Sequence, residues 1–352
     1  MNAIILVGGE GTRLRPLTSN LPKPMVPLAN RPFLGYQLEL LRKYGIRDIV
    51  FAVSYKMERI KDFYKDGSHW GVRIRYAIEK KPLGTGGAIK NAWNFSRSIG
   101  WGRGASVIFN GDTLSDMKLN RVLKTHRWRR ADATLVLTKV EDPTKFGVVE
   151  FGLTWRVKKF VEKPGWDEVK SHWISAGTYI FEPHVFEMIP DYRVASVERE
   201  LFPMLLEKKM RLFAYPSRNY WLDIGTPQNY LQANDDILEG RVAISHPREK
   251  VGRGIKTQLP RSGTYVKPYL IGNGCTVGQD VRIEKSVIGN GVVLGKGSLL
   301  ERAILWDGVR IGEGSILKGC ILGRNCRIGS HVHIKPGTVL GDNTRIERDS
   351  EV

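Results

Sequence analysis

The sequence predicts two folds in one chain: an α/β domain with a mostly parallel sheet over residues 1–238, and a parallel β-helix over residues 269–352. The first prediction rests on short apolar runs that alternate with helical patterns. The second rests on an aliphatic residue that recurs every five or six positions from Ile271 onward. The stretch between them is rich in glycine, proline and charge, so we assign residues 239–268 to a linker.

The α/β prediction follows from the order of four strand-like runs and three helical patterns. The runs are AIILV, DIVFAV, VRIRYAI and SVIFN, and the helical patterns cover residues 33–44, 57–65 and 86–97. Ligands bind such sheets at the carboxyl ends of the strands. The glycine-rich loop GGEGTRLRP follows the first run, and the NGD motif at 110–112 follows the fourth. Both motifs therefore lie where a binding site is expected.

The β-helix prediction follows from the spacing of the aliphatic residues. They stand at positions 271, 277, 283, 288, 294, 300, 305, 311, 317, 322, 328, 334, 340 and 346. Three steps make a coil of 17 residues, repeated at 271, 288, 305 and 322. Aliphatic side chains then stack inside each flat face, while small residues such as Ser286 and Ala303 occupy the corners. Cys275, Cys320 and Cys326 occupy the same small positions, so we expect buried thiols without redox or metal chemistry.

Composition and charge narrow the classes of partner. The chain has 352 residues, of which 41% are hydrophobic and 26% are charged, as is ordinary for a globular protein, and a net charge of +19. We find no secretory signal and no apolar run near the ~18 residues of a membrane span, so we expect a cytoplasmic protein with no membrane partner. The positive charge favours phosphate-bearing small molecules. The densest basic run, HRWRR at 126–130, accompanies no recognised nucleic-acid motif, so we expect no nucleic-acid partner.

The glycine-rich loop does not match two common phosphate-binding motifs. A dinucleotide fingerprint that starts at Gly9 needs a third glycine where the chain has Leu14. A Walker A loop ends in Gly-Lys-Ser/Thr, but here Gly11 is followed by Thr12 and Arg13. Because glycine loops also form plain tight turns, the neighbouring motifs must decide between a turn and an anion-binding loop.

The segment GGEGTRLRPLTSNLPKPMVPLANRP at 8–32 closely resembles the signature of the sugar-phosphate nucleotidyltransferases. The similarity continues in chain order through EKKPLGTGGAIKNA, FNGD, FVEKP, SAGTYIF, VERELFP and WLDIGTPQNY. Members of this family convert a sugar 1-phosphate and an NTP into an NDP-sugar and pyrophosphate. The chain is most similar to the mannose-1-phosphate guanylyltransferases, and PLGTGGAIK also resembles the heptose-1-phosphate guanylyltransferases. The resemblance implies a Rossmann-like nucleotidyltransferase domain followed by a left-handed parallel β-helix of hexapeptide repeats.

The reaction of this family brings two anionic phosphate groups together, so it needs positive charge more than covalent chemistry. Glycines let backbone N–H groups approach the phosphates, Arg13 can bind the departing pyrophosphate, and Lys23 can contact the α-phosphate. By resemblance, Arg13, Lys23 and Asp112 are the catalytic residues. The nucleotide site that the resemblance implies consists of Leu6, Gly8, Gly9, Gly11, Thr12, Arg13, Lys23, Glu79, Gly84 and Thr85.

A second set of residues is implied for the sugar phosphate. By resemblance, Lys163 holds the phosphate of the sugar and Glu162 accepts hydrogen bonds from the sugar hydroxyls. The other residues implied for this site are Gly111, Gly147, Ser175 and Gly177. Ser175 departs from the family pattern, which often has asparagine at this position, and the identity of the hexose therefore stays open.

Two aspartates indicate a metal site. Asp112 and Asp223 each follow a strand-like run in an apolar context. The resemblance implies that both bind Mg²⁺, which is the cofactor we expect. One or two carboxylates together with substrate phosphate oxygens are the usual ligands of this cation in such reactions.

Glu79 bears on the choice of base. Guanine presents two adjacent donors on its pairing edge, and a carboxylate accepts both, whereas uracil and thymine present one donor between two carbonyl oxygens. In the thymidylyl- and uridylyltransferase branches the matching residue resembles a glutamine. Glu79 therefore favours GTP as the nucleotide, and the resemblance to the mannose-1-phosphate guanylyltransferases implies mannose 1-phosphate as the sugar phosphate. A glucose-1-phosphate thymidylyl- or uridylyltransferase is the alternative, and an exposed Glu79 at a strand end is another.

Two further interpretations differ in class. Some relatives with this layout are non-catalytic regulatory subunits, but the intact Arg13, Lys23, Asp112 and Asp223 argue against that role here. Acyl transfer by the β-helix would need a histidine base, and neither histidine of that region occupies an aliphatic or small position. We expect the β-helix to mediate homo-oligomerisation instead. We also expect a chain that is cut near residue 240 to keep a folded transferase domain.

Overall fold

The computed structural model describes three stretches of the chain: residues 1–54, 57–243 and 257–352. They form two compact units. The sheet unit consists of the described residues of 1–9 and 34–221, and the β-helix unit consists of those of 10–33 and 222–352. The segment 10–33 follows the first strand in sequence but belongs to the same unit as the C-terminal part of the chain.

The strands and helices before the β-helix alternate as predicted. The strands are β1 (Ala3–Leu6), β2 (Pro27–Leu28), β3 (Arg31–Pro32), β4 (Asp48–Val53), β5 (Arg73–Ile78), β6 (Ser106–Asn110), β7 (Thr113–Ser115), β8 (Ala133–Lys139), β9 (Gly147–Phe151), β10 (Val157–Glu162), β11 (Trp173–Phe181), β12 (Leu212–Pro216) and β13 (Trp221–Asp223). The α-helices are α1 (Leu34–Lys43), α2 (Met57–Tyr64), α3 (Gly84–Ser98), α4 (Leu119–Trp128), α5 (Pro183–Glu187), α6 (Phe202–Glu207) and α7 (Pro227–Leu238). Within the described stretches, no helix is long and apolar enough to cross a bilayer.

The sheet unit is built on a nine-stranded mixed sheet. Its main path has the order β10-β9-β11-β6-β1-β4-β5, and β8 pairs with both β11 and β12. β1 runs parallel to β4 and β6, and β4 runs parallel to β5. β11 runs antiparallel to β6, β8 and β9, so the predicted parallel arrangement holds for the β6-β1-β4-β5 part. The Rossmann-like α/β class is confirmed.

The first strand lies in the middle of this sheet. Residues 3–5 have no exposed surface, as is typical of a strand covered on both faces. At its carboxyl end, Leu6 stands opposite Ala52 of β4 and Asn110 of β6. The ends of three parallel strands therefore meet at one edge, where the glycine-rich loop and the NGD motif begin.

Short parallel strands form the left-handed β-helix that the sequence predicts. They are β14 (Thr264–Val266), β15 (Leu270–Ile271), β16 (Thr276–Val277), β17 (Arg282–Glu284), β18 (Val287–Ile288), β19 (Val293–Leu294), β20 (Leu299–Glu301), β21 (Ile304–Leu305), β22 (Arg310–Ile311), β23 (Ile316–Lys318), β24 (Ile321–Leu322), β25 (Arg327–Ile328), β26 (His333–Ile334), β27 (Val339–Leu340) and β28 (Arg345–Ile346). Every third strand joins the same sheet, which gives three parallel five-stranded faces.

The coil register follows the aliphatic spacing. Ile271 stands opposite Ile288, and Ile288 stands opposite Leu305, so each coil advances by the predicted 17 residues. Cys320 and Cys326 have no exposed surface, and burial raises the pKa of the Cys320 thiol to about 12. All three cysteines are buried, so the predicted packing role of these thiols is confirmed.

The β-helix begins earlier than the sequence predicted. β14 lies inside the predicted linker 239–268, yet it pairs in parallel with β17 and places Tyr265 opposite Ile283. The aliphatic spacing does not predict this strand, because the aromatic side chain of Tyr265 takes the stacking position that an aliphatic residue takes in the other coils. Residues 244–256 of the predicted linker lie outside the described residues.

Candidate active site

The glycines at the edge of the sheet unit allow two close backbone contacts. The N–H of Gly111 donates to the carbonyl of Leu6 at 2.9 Å, and a Cβ on Gly111 would lie 2.3 Å from that oxygen. A Cβ on Gly8 would lie 2.5 Å from Oγ of Ser54, which donates to the Gly8 carbonyl at 2.8 Å. A Cβ on Gly9 would meet no atom within 4 Å. Side chains larger than hydrogen would therefore push apart the strand ends at two of these three positions.

Asn110 marks a polar opening beside these strand ends. Its Oδ1 atom is buried and has no hydrogen-bond partner among the described residues. Gly177 has a φ of +67°, and a Cβ there would lie 2.8 Å from Nδ2 of Asn110. Asp112 follows in the same motif and is half-buried. Since a buried carbonyl oxygen without a donor is costly, a ligand that brings a donor to Asn110 would be stabilised.

A network of carboxylates and hydroxyls lies in the same unit. The hydroxyl of Ser175 donates to the Tyr179 hydroxyl at 3.2 Å, and Tyr179 donates to Oε1 of Glu198 at 3.4 Å. Burial, and after it the charge of Glu198, raise the pKa of Glu162. Burial also raises the pKa of Tyr179, so its hydroxyl remains a donor. The network therefore presents two carboxylates that can accept hydrogen bonds.

Glycine keeps the space in front of one of these carboxylates open. Gly147 pairs with Glu162 across the β9–β10 hairpin, and a Cβ on Gly147 would lie 2.9 Å from Oε2 of Glu162. It would also lie 2.3 Å from the ring of Phe160. Lys163 follows with a φ of +51° and an exposed side chain. Its positive charge lowers the pKa of Glu162, against the effect of burial.

Three of the predicted nucleotide residues, Glu79, Gly84 and Thr85, lie at the start of α3. Oε2 of Glu79 accepts the N–H of Leu83 at 3.1 Å. Burial raises the pKa of Glu79, and the Leu83 N–H acts in the opposite direction. Gly84 has a φ of +70°, and the Thr85 hydroxyl donates to Oε2 of Glu198 at 2.7 Å. Glu198 therefore connects the start of α3 with the Ser175–Tyr179 network.

The predicted cations lie in the β-helix unit, on either side of one carboxylate. Nζ of Lys23 is 3.4 Å from Oδ1 of Asp223, and Nη2 of Arg13 is 3.5 Å from Oδ2. Only 8% of the Lys23 side chain is exposed, against 65% for Arg13. Gly11 has a φ of +65° and lies against the Lys23 side chain, and Thr12 starts the short 3₁₀ helix that carries Arg13. The buried Lys23 stays beside the Asp223 carboxylate, whereas the exposed Arg13 side chain can turn away from it and bind a ligand.

Helix α7 holds both sides of this ion pair. Its Asn229 side chain donates to the carbonyl of Asp223 at 2.7 Å. The Tyr230 hydroxyl donates to the carbonyl of Pro27, which follows Lys23 by four residues. Tyr230 in turn accepts the indole N–H of Trp306 from the β-helix at 3.0 Å. The β-helix therefore contributes directly to the position of Tyr230, and through it to the Lys23 loop.

Further contacts fix the same segment. Oδ1 of Asn234 in α7 accepts the N–H of Ala29 at 2.8 Å, and Nδ2 of Asn30 donates to the Ile288 carbonyl at 2.7 Å. Asn30 and Ala29 form the turn between β2 and β3 and both have positive φ values. The loop after Lys23 is thus bonded both to α7 and to a coil of the β-helix.

Sequence reasoning missed several residues that the structure brings into these networks. Glu198 lies in the quoted motif VERELFP and Asn110 in FNGD, so their motifs were the signal. Trp221 lies in WLDIGTPQNY, and its indole N–H donates to the carbonyl of Ala176 at 2.9 Å, beside Gly177. No sequence motif contains both Tyr230 and Trp306, because Tyr230 lies in α7 and Trp306 lies in the β-helix.

The carboxylates suit a divalent cation that also takes ligands from a substrate. Among the described residues, no group of three or more His, Cys, Asp or Glu side chains is placed to hold a metal ion by itself. Mg²⁺ ordinarily takes one or two carboxylates and completes its shell with phosphate oxygens and water. Asp112 and Asp223 each offer one carboxylate, which is the type of donor that this cation takes.

Two family models match the chain. A model described as "Nucleotidyl transferase" matches residues 2–240. A model described as "EIF2B subunit epsilon LbH domain" matches residues 248–352. Together they agree with the α/β fold and the left-handed β-helix.

Curated proteins of similar sequence include mannose-1-phosphate guanylyltransferases. The mannose-1-phosphate guanylyltransferase of Mycobacterium tuberculosis is 39% identical over 295 residues, which cover 82% of this chain and 79% of that protein. The mannose-1-phosphate guanylyltransferase catalytic subunit beta of Danio rerio is 36% identical over 278 residues, which cover 78% of this chain and 74% of that protein.

Solved structures give a similar result for the fold. A putative glucose-1-phosphate thymidylyltransferase from Bacillus anthracis superposes with a TM-score of 0.60 and 25% identity, covering 66% of this chain and 94% of that one. HddC from Yersinia pseudotuberculosis, complexed with GMP-PN, superposes with a TM-score of 0.57 and 30% identity, covering 67% of this chain and 99% of that one.

Gly225 offers a direct test of the ion-pair cluster. In Gly225→Ala the new Cβ would lie 2.8 Å from Nη2 of Arg13 and 2.9 Å from Oδ1 of Asp223, so the arginine must move. We expect the enzymatic transfer rate to fall by about 10- to 100-fold, the scale for a displaced positioning group. Because the exposed Arg13 side chain contributes little packing, we expect the melting temperature to change little.

Gly104→Ala is the matched control, because a Cβ at Gly104 would meet no atom within 4 Å. Steady-state rates and thermal melts of both variants make the comparison. Equal rates for the two variants would show that Arg13 needs no fixed position beside Asp223.

Proposed function

We propose that this chain, which belongs to the nucleotidyl transferase family, transfers a guanylyl group from GTP to mannose 1-phosphate and releases pyrophosphate. The observation that carries the proposal is the cluster of Arg13, Lys23 and Asp223, in which Arg13 of the glycine-rich loop and the buried Lys23 both lie beside the Asp223 carboxylate. The curated relatives with the name mannose-1-phosphate guanylyltransferase support the choice of substrates.

The cluster can supply the positive charge that the reaction between two phosphate groups needs. An oxygen of the sugar phosphate attacks the α-phosphorus of the nucleotide, a new P–O bond forms, and the bond to the β-phosphate breaks. Negative charge accumulates on both reacting groups and on the leaving pyrophosphate. The exposed guanidinium of Arg13 can bind the pyrophosphate in a bidentate manner, and the ammonium of Lys23 can neutralise the α-phosphate. Positioning and charge neutralisation are thus the contributions of the protein.

Asp112 and Asp223 are the residues that would hold Mg²⁺. The cation, when bound, draws negative charge away from the phosphate oxygens. Asp223 also orients Arg13 and Lys23, so its carboxylate serves two tasks. The backbone N–H groups of the glycine-rich loop bind phosphate oxygens without adding side-chain bulk.

The sugar phosphate fits the network around Glu162 and Glu198. Both carboxylates are acceptors, and sugar hydroxyls are donors, so the pair can bind two or more hydroxyl groups. Lys163 follows Glu162 in sequence and is exposed, so it can neutralise the phosphate of the sugar. Tyr179 holds Glu198 in place by a hydrogen bond, and Ser175 in turn donates to the Tyr179 hydroxyl.

Glu79 is the residue that we assign to the base. Its Oε2 atom accepts the N–H of Leu83, which fixes the carboxylate at the start of α3. In the described part of the chain, Oε1 accepts no hydrogen bond and can take one from guanine. A carbonyl oxygen of uracil or thymine at the same place would face a carboxylate, which is unfavourable when both are buried.

The substrate assignment is tested by pyrophosphate release with GTP, ATP, UTP and dTTP, each with mannose 1-phosphate and with glucose 1-phosphate. We expect GTP with mannose 1-phosphate to give the highest kcat/KM. In Glu79→Gln, kcat/KM for GTP should fall by about 30- to 1,000-fold, because a charge-assisted bond is lost and an unmatched NH₂ is buried.

The pH dependence adds a control for the same assignment. Because the pKa of Glu79 is raised, its carboxylate becomes protonated at a higher pH than an ordinary glutamate. The advantage of the unmodified protein over Glu79→Gln for GTP should therefore shrink as the solution is acidified. A preference for dTTP or UTP with glucose 1-phosphate would replace the proposal by its alternative.

The metal assignment predicts a strict cation requirement. Asp112→Asn and Asp223→Asn should each lower the rate by at least about 100-fold, the scale for the loss of a key electrostatic group. Turnover should stop in EDTA and return when Mg²⁺ is added in excess. Near-normal turnover in EDTA would contradict the assignment of both aspartates.

A further inference from the structure

A strongly basic surface lies in the sheet unit where α4 ends beside β12. β12 pairs with β8 on one side. On the other side, Arg156 bridges to Phe213, and the N–H of Ala214 donates to the carbonyl of Trp155 at 2.7 Å. We call this surface the basic–aromatic face and define it by six residues: Trp128, Arg129, Arg156, Lys208, Lys209 and Phe213.

Arg129 is held in this face by rings and not by a carboxylate. Its guanidinium carbon lies 4.5 Å from the ring centroid of Trp128 and 5.5 Å from that of Phe213. Its Nε atom is buried and has no hydrogen-bond partner among the described residues. The charge of Arg129 is therefore fixed in position without being neutralised.

The neighbouring cations are not neutralised either. The guanidinium of Arg156 donates to the backbone carbonyls of residues 209 and 210, at 2.8 and 3.4 Å. Within the described stretches, none of the four cations that define the face takes part in an ion pair. The carboxylate of the nearby Asp132 accepts from Arg211 at 2.7 Å, which already satisfies it. The face therefore presents a net positive charge to solvent.

Aromatic rings lie between these charges. Trp128 is 72% exposed. Along β12 the outward residues Phe213 and Tyr215 are half-buried, and consecutive outward residues of a strand are about 6.8 Å apart. The Tyr215 ring meets the Trp155 ring edge-on at 5.9 Å. Trp128 and Phe213 both lie beside the Arg129 guanidinium, so rings and cations share this face.

We propose that the basic–aromatic face binds a single-stranded nucleic acid. Rings that accept stacked bases, beside arginines and lysines that bind the phosphates, are the two components of such sites. The net charge of +19 adds long-range attraction for the same polyanion. This departs from the expectation that the protein has no nucleic-acid partner, which rested on the lack of a linear motif, whereas the face is assembled from three separate segments.

The alternatives fit the face less well. An anionic bilayer would favour several apolar side chains that project together, but Trp128 projects while Phe213 lies half-buried under Arg129. A double helix offers phosphates but no exposed base faces for the rings. The single strand is the polyanion that uses both the rings and the charges.

The experiment measures fluorescence anisotropy of a labelled 15-nucleotide dT oligomer and an equivalent U oligomer with the full chain. We expect a Kd on the order of micromolar at low salt, which weakens with salt. Trp128→Ala should weaken binding by about 5- to 100-fold, the scale for one lost stacking partner. Trp166→Ala is the matched control, since Trp166 is also an exposed tryptophan, and it should leave Kd unchanged.

Charge variants separate the face from general electrostatics. Lys208→Gln/Lys209→Gln should reduce the slope of log K against log salt by about 1.4, since each lost phosphate contact changes it by about 0.7. Arg59→Gln/Lys61→Gln removes the same charge from α2, and it should leave this slope unchanged. Equal effects of the two double variants, tighter binding to duplex DNA, or binding to phosphatidylserine vesicles that Trp128→Ala weakens would each overturn the proposal. The transfer rate of the Trp128 variant should stay normal.

Discussion

A buried ammonium group needs a carboxylate beside it, and Lys23 has Asp223, with 3.4 Å between Nζ and Oδ1. Removing one partner of such a pair costs about 3–5 kcal/mol, so the two segments that carry it must stay together in the folded protein. The partners are 200 residues apart in sequence, and local structure alone cannot fix their distance. Helix α7 holds the two segments together, because Asn229 donates to the carbonyl of Asp223 and Tyr230 donates to the carbonyl of Pro27.

The dependence continues into the β-helix. Trp306 donates to Tyr230, Ile288 accepts from Asn30, and Nε of Arg302 lies 2.5 Å from Oδ2 of Asp235 in α7. This explains why the segment 10–33 belongs to the β-helix unit. A chain cut near residue 240 would lose all three contacts. The folded transferase domain that we expect from such a cut would therefore lack these contacts to α7 and to the segment 10–33.

The fold was predictable where a regular spacing of apolar residues reflects a repeated packing environment. Ile271, Ile288 and Leu305 recur at 17 residues because each coil repeats the same environment, and their pairing follows directly. Tyr265 broke the aliphatic pattern, so the first strand of the β-helix was missed. The antiparallel course of β11 was missed because a buried strand has the same apolar composition in either direction.

The candidate site was predictable only as far as its motifs. Gly11, Arg13 and Lys23 belong to one motif, and their proximity in space follows from their proximity in sequence. Glu198 bonds to Thr85, which lies 113 residues before it, and a single sequence contains no sign of such a pairing. The same holds for Tyr230 and Trp306, whose polar atoms meet in a buried environment that only the folded chain creates.

The most direct test of the role of the β-helix is a double-mutant cycle of Tyr230→Phe and Trp306→Phe, read as kcat for nucleotidyl transfer. Tyr265→Phe is the matched control, because it removes another tyrosine-to-carbonyl hydrogen bond in the same unit. If the hydrogen bonds from Trp306 to Tyr230 and from Tyr230 to Pro27 position Lys23, each single variant should lose about 10- to 100-fold in kcat. The kcat of the double variant should then be no lower than that of the less active single variant. Losses that multiply, or normal turnover in Trp306→Phe, would contradict the account.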